Sequence, residues 1–147
     1  MRVLVIDDEP VIRSIVSAAL EGYAEVLEAD DGLAGLAILA EARVDVVLLD
    51  VMMPGMSGYE VLSLLRRSPD HVDVAVIMLT AKAGETDHVT AYRTGADGYL
   101  TKPFDIIVLC QTVAEVARRG PDQRVAVRRA ELSRAELLRQ LEHQFGL

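Results

Sequence analysis

The sequence predicts an α/β fold: five parallel strands wound on both faces by helices, (βα)5, with a helical extension at the end. Three observations carry this reading. Short strand-like runs recur five times, at Arg2–Ile6, Tyr23–Ala29, Val46–Leu49, Val74–Leu79 and Gly98–Leu100, the first, third and fourth apolar and rich in β-branched residues. Each is followed by apolar residues at helical spacing. The central runs lack the alternation of a strand with one wet face, so they are read as covered on both sides. A strand-helix alternation of this kind calls for a doubly wound parallel sheet with right-handed crossovers.

Taken in order, Arg2-Val3-Leu4-Val5-Ile6 stops abruptly at Asp7-Asp8-Glu9-Pro10, and Pro10 suits the first turn of a helix marked by Val11, Ile12, Ile15, Val16, Ala19 and Leu20. The weaker second strand ends in Asp30-Asp31-Gly32, read as turn and cap for a helix carrying Leu33, Leu36, Ala37 and Ala40. The third strand delivers Asp50 at its carboxyl end, and Pro54-Gly55-Met56-Ser57-Gly58 leads into a helix with Val61, Leu62, Leu64 and Leu65. The fourth strand stops at Thr80, and Lys82-Ala83-Gly84 opens a less hydrophobic helix at about 85–93, whose composition predicts weak packing. The fifth strand runs into Thr101-Lys102-Pro103, and Ile106, Leu109, Cys110, Val113, Val116 and Ala117 mark the fifth helix. Gly120-Pro121 breaks it, and 124–145 reads as a further helix with Val127, Ala130, Leu137, Leu141 and Phe145 on one side and Arg134 interrupting them.

At 147 residues, with 51% hydrophobic and only 4% aromatic residues, the chain has room for one domain and an appendage, built on an aliphatic core. We divide it into a domain at 1–118 and a helical tail at 119–147. No apolar run approaches a membrane span and no signal peptide is read at Met1, so a cytoplasmic protein is expected. The single Cys110 is read as a small buried hydrophobe. His71, His88 and His143 share no spacing and are read as surface residues.

Charge is unevenly spread. Residues 1–117 hold 8 Lys and Arg against 19 Asp and Glu, a balance of −11, whereas 118–147 hold 7 Arg against 4 acids, a balance of +3. Duplex binding rests on neutralising phosphates, so the acidic body argues against direct nucleic-acid contact.

In a parallel sheet, ligands gather at the carboxyl ends of the strands. Aligning those ends brings together Asp7, Asp8, Asp50, Thr80 and Lys102. Three carboxylates in one crevice repel unless a cation intervenes, and a hard divalent ion such as Mg²⁺ suits oxygen donors. A lone Lys then serves a phosphoryl oxygen as a point charge.

The pieces Val5-Ile6-Asp7-Asp8-Glu9, Leu48-Leu49-Asp50-Val51-Met52-Met53-Pro54-Gly55-Met56-Ser57-Gly58, Ile77-Met78-Leu79-Thr80-Ala81 and Gly95-Ala96-Asp97-Gly98-Tyr99-Leu100-Thr101-Lys102-Pro103-Phe104 occur in family order. With them the chain resembles the receiver domain of two-component response regulators. The resemblance implies a flavodoxin-like strand order 2-1-3-4-5. It implies that Asp50 accepts a phosphoryl group from a sensor histidine kinase or phosphotransfer protein. Asp8, Asp50 and the Met52 backbone carbonyl would bind Mg²⁺ (or Mn²⁺), with Asp7 helping through water. Lys102 and Thr80 would hold phosphoryl oxygens, Tyr99 would be the switch aromatic responding to Thr80, and Lys102-Pro103 would be a cis peptide. Such a domain is no enzyme in the ordinary sense, since it catalyses only its own phosphorylation and dephosphorylation. Lys82 and Met52 occupy positions that tune dephosphorylation in the family. The alternative is a degenerate receiver working as a phosphorylation-independent interaction module.

Gly98 departs from the two acidic residues that winged-helix DNA-binding members carry before the switch aromatic. The tail is too short for such an output domain and is read as a docking, dimerising or linker helix. Two surfaces are candidates for a homodimer: the tail, and the face made by the fourth helix, fifth strand and fifth helix.

Overall fold

A computed structural model describes residues 1–81 and 85–146, without the side chains of Glu85 and Thr86. Five strands, β1 (Arg2–Ile6), β2 (Glu25–Ala29), β3 (Val46–Asp50), β4 (Ala75–Thr80) and β5 (Gly98–Thr101), pair in parallel in the order β2-β1-β3-β4-β5. Between and after them run α1 (Pro10–Ala19), α2 (Gly32–Glu41), α3 (Gly58–Arg67), α4 (Glu85–Thr94), α5 (Ile106–Arg118) and α6 (Pro121–Phe145). This is the doubly wound, flavodoxin-like order expected from the sequence, with the C-terminal helix in place. Lys82, Ala83 and Gly84 lie outside the described residues. Among the described residues no helix is long and apolar enough to cross a membrane.

The unbroken apolar runs are explained by two cores. Leu4, Ile6, Val47, Leu49, Val76 and Met78 face one way, among Leu39, Val61, Leu62, Leu65 and Ala91 of α2, α3 and α4. Their neighbours Val3, Val5, Val46, Leu48, Ile77 and Leu79 face the other way, among Val16, Leu109 and Val113 of α1 and α5. Every residue of β3 and β4 is buried, so successive side chains enter opposite cores and no polar alternation survives.

Local chemistry fixes the helix starts. Asp31 accepts a hydrogen bond from the Ala34 amide at 2.7 Å, and Ser57 and Glu60 form a reciprocal capping box at α3. Cys110 is half-buried against the α1/α5 core, its thiol 3.5 Å from the Ala19 carbonyl. Of the histidines read as surface residues, His71 instead lies between the Ser68 hydroxyl and the Leu39 carbonyl, and His88 is half-buried against Tyr99, its ring edge-on at 4.2 Å.

Gly58 sets how closely α3 approaches the third strand. A Cβ there would lie 2.2 Å from the Asp50 carbonyl oxygen, while its amide donates to the Val51 carbonyl at 2.8 Å. Gly58→Ala is expected to lose about 1–3 kcal/mol, because backbone must shift to admit the methyl group. The urea midpoint measures it.

The tail departs from expectation. Of the side expected to pack, Val127 and Leu141 are half-buried but Ala130, Leu137 and Phe145 are exposed. The face that packs carries Arg124, Arg128, Glu131 and Ala135, one or two turns apart, and α6 runs along α4. The outer side of α4, expected to be weakly packed, is thus covered. The physical reason is a buried carboxylate: Asp97, 4% exposed, draws arginines whose aliphatic stems supply the packing.

Candidate functional site

Sheet register builds the site. Ile6 pairs with Leu49, Asp50 with Leu79 and Thr80 with Thr101, so the residues at or just beyond each pairing, Asp7, Asp50, Thr80 and Lys102, emerge side by side. The backbone continues the pattern: Val51 N donates to the Leu79 carbonyl at 2.9 Å and Lys102 N to the Thr80 carbonyl at 2.6 Å. The Lys102-Pro103 peptide is cis.

Lys102 is the hub. Its Nζ lies 2.7 Å from Asp7 Oδ2, 3.2 Å from Asp50 Oδ1 and 3.3 Å from Glu9 Oε1. The short contact to Asp7 is a charge pair, and among the described residues that buried oxygen has no further hydrogen-bond partner. Burial works against the ammonium, yet Asp7 and Asp50 overcome it and hold its pKa above the ordinary value. Asp50 is 4% exposed, and burial first, then the Asp7 charge, push its carboxyl up to about 6 against the pull of Lys102. Asp7 and Thr80 are buried, whereas Asp8, Met52 and Glu9 lie exposed at the mouth. Tyr99, raised by burial, hydrogen-bonds through its side chain to Thr80 and packs against His88 on α4.

The donors fit a hard cation. Oxygen atoms of Asp7, Asp8 and Asp50 all lie within 4.8 Å of one another, a set of hard oxygen donors of the kind a divalent cation and its waters take. Because Asp50 holds its proton up to about pH 6, proton and metal compete. Above that pH the carboxylate is ionised and available; below it the affinity for Mg²⁺ is expected to fall by up to about tenfold per pH unit. Calorimetric titration at several pH values checks this.

Two residues with structural claims on the site were not singled out by sequence reading. Glu9 shares Lys102, a contact hinted at only by its place after Asp7-Asp8. His88 carried no signal, since its partner Tyr99 lies on another element. A cleft of about 720 Å³ lies at the opposite end of the sheet among Leu39, Arg43, Asp45, His71 and Asp73. It has no part in this constellation.

Comparison with known proteins agrees with the geometry. The family model for the response regulator receiver domain matches residues 3–114. The phosphate regulon transcriptional regulatory protein PhoB of Pseudomonas aeruginosa is 42% identical over 122 residues, covering 81% of this chain and 53% of that protein. The DNA-binding dual master transcriptional regulator RpaA of Synechocystis is 41% identical over 120 residues, covering 80% of this chain and 49% of its own. Thus the chain spans about half the length of these curated relatives. Protein PilH of Pseudomonas aeruginosa is matched over 96% of its length at 38% identity, across 78% of this chain. Among solved structures, the chemotaxis protein CheY4 of Vibrio cholerae superposes with a TM-score of 0.75 at 35% identity, over 78% of this chain and 97% of that one. On fold, strand-end residues and family match together, the chain belongs to the response regulator receiver domain family.

Proposed function

We propose that the chain is a phosphorylation-switched receiver in which Asp50 accepts a phosphoryl group from a phosphohistidine on a sensor kinase or phosphotransfer protein. The observation that carries this reading is the Lys102 ammonium held between Asp7 and Asp50, next to buried Thr80, in a crevice crowded with carboxylates. That arrangement has cationic and hydroxyl donors for an incoming phosphate and a nucleophile beside them.

In the proposed transfer an Asp50 carboxylate oxygen forms a bond to phosphorus as the bond to the donor imidazole nitrogen breaks, giving an acyl phosphate. Lys102 neutralises a transferred oxygen and Thr80 donates its hydroxyl to another. Asp8, Asp50 and the Met52 carbonyl would hold Mg²⁺ (Mn²⁺ would serve), with Asp7 acting through water. When bound, the metal supplies neutralisation of the phosphoryl oxygens. The new charge, about −1.5 to −2, draws Thr80 and Lys102 inward. Tyr99, bonded to Thr80, carries that shift to α4 and β5.

On this reading the chain turns over only its own aspartyl phosphate, works in the cytoplasm, and leaves nucleic-acid contact to a partner or output segment. Its α4, β5, α5 and α6 surface is where such a partner or a second copy would engage. The test is Mg²⁺-dependent binding of beryllofluoride, a phosphoryl mimic, followed by NMR. Shifts at Thr80, Tyr99 and Lys102 that vanish in Asp50→Asn support the reading. A spectrum unmoved by beryllofluoride contradicts it.

A further inference from the structure

Helix α6 is held to the α4–β5 surface at two places. Asp97 Oδ1 accepts from Arg128 at 2.7 Å and has Arg124 at 3.9 Å, while its Oδ2 accepts from Arg66 and from the Val76 amide, each at 2.9 Å. Further along, Glu136 pairs with Arg93 of α4 at 2.7 Å, beside Ala135, the buried residue of the packed face. Between these contacts lies a cleft of about 200 Å³, with Tyr92 and Tyr99 on one side and Val127 and Glu131 of α6 on the other.

Asp97 immediately precedes β5, a strand of only four residues. Tyr99 lies within that strand and Lys102 follows its end. The residue that anchors α6 and the residue that would grip the phosphoryl group are therefore mounted on the same short segment. The chain also directs α6 to this place. Gly120 is extended, with φ −72° and ψ 168°, and Pro121 occupies the first helical turn. A proline disfavours a helical residue before it, so α5 and α6 do not fuse into one rod and the second helix turns back onto α4.

We propose that α6 is a cis-acting latch on the α4–β5 surface, docked while Asp50 is unmodified and released when Asp50 is phosphorylated, so that the signal leaves the domain as a freed helix. The proposal rests on the reading of Asp50 as acceptor. Its direction follows from the connections. Lys102 and Thr80 are joined backbone to backbone at 2.6 Å, so drawing both inward moves the ends of β4 and β5 together. Tyr99 passes that displacement to α4 through His88. Because α6 is held at once to Asp97 before β5 and to Arg93 of α4, a shift of α4 against β5 stretches one pair or the other and loosens the helix. Docking and phosphorylation thus oppose each other, and by linkage each weakens the other by the same factor.

Hydrogen exchange of the full chain with Mg²⁺, with and without beryllofluoride, reads this directly. Amides of α6 are expected to exchange about tenfold faster with beryllofluoride bound, while β1 and β3 stay protected. Conversely, Arg124→Ala with Arg128→Ala, and separately Ala135→Glu, release α6, and both variants are expected to bind beryllofluoride about fivefold more tightly or better. Ala135→Glu changes nothing in residues 1–118, so it keeps the test valid if the arginine variant folds poorly. Unchanged or slower exchange in α6, or unchanged or weaker affinity in Ala135→Glu, overturns the latch. If beryllofluoride alters no protection around Asp50 and Lys102, the acceptor reading falls and the latch with it; if it does so while α6 stays silent, only the latch falls.

Discussion

Asp50→Asn is expected to take up no phosphoryl group from acetyl phosphate, a loss of at least about a thousandfold, because an amide oxygen replaces the nucleophilic carboxylate. The same variant is expected to fold better than its parent in metal-free buffer at neutral pH. Burial and Asp7 push the Asp50 carboxyl up to about 6, so the native fold disfavours its ionised form. An acid whose pKa is raised on folding stabilises the native state below its ordinary pKa, and that contribution is lost as pH rises through the folded value. A neutral amide carries no such penalty. The advantage of the variant should therefore be present at pH 7.5 and absent near pH 4, which urea denaturation at the two values measures. Mg²⁺ should reverse the order, since the parent alone keeps all three carboxylates.

Asp97→Ala is expected to be the most damaging single change to stability, costing about 3–5 kcal/mol. Its carboxylate is 4% exposed and closes a network of Arg66, Arg124 and Arg128 with the Val76 amide. Removing it leaves three cations against one another in partly buried surroundings. Arg66 also donates to the carbonyls of Gly95, Val72 and Val74, so α3, the segment leading into β4 and the α4–β5 turn loosen together. Burial already works against the charge on Arg66 and lowers its pKa, with Asp97 opposing that effect. Thermal unfolding of Asp97→Ala and Asp97→Asn separates lost charge from lost hydrogen bonds. Asp97→Asn should retain part of the stability through the Val76 amide.

Most of the sheet and the core of the site were legible in the sequence for one reason. Strands buried on both faces write themselves as unbroken apolar runs, and the polar residue that ends each run marks the carboxyl edge of the sheet. Asp7, Asp50, Thr80 and Lys102 are such residues, and parallel register brings them together. The destination of α6 was not legible. Periodicity weighs apolar residues, and of the side it selected Val127 and Leu141 are half-buried while Ala130, Leu137 and Phe145 are exposed. The side that docks is written in arginines, whose stems pack and whose charges answer a carboxylate far away in the chain. Asp97 was noticed only as part of the segment before Tyr99, because burial of a single Asp leaves no pattern. His88 was invisible for the same reason: its contact with Tyr99 crosses from α4 to β5.

The central claim is that Asp50 is a phosphoryl acceptor, and peptide mass analysis after incubation with Mg²⁺ and acetyl phosphate tests it most directly. A phosphoryl group on the peptide containing Asp50, dependent on Mg²⁺ and absent from Asp50→Asn, is the result the geometry predicts. No modification under conditions where Mg²⁺ binds, or modification at another residue that persists in Asp50→Asn, would contradict it.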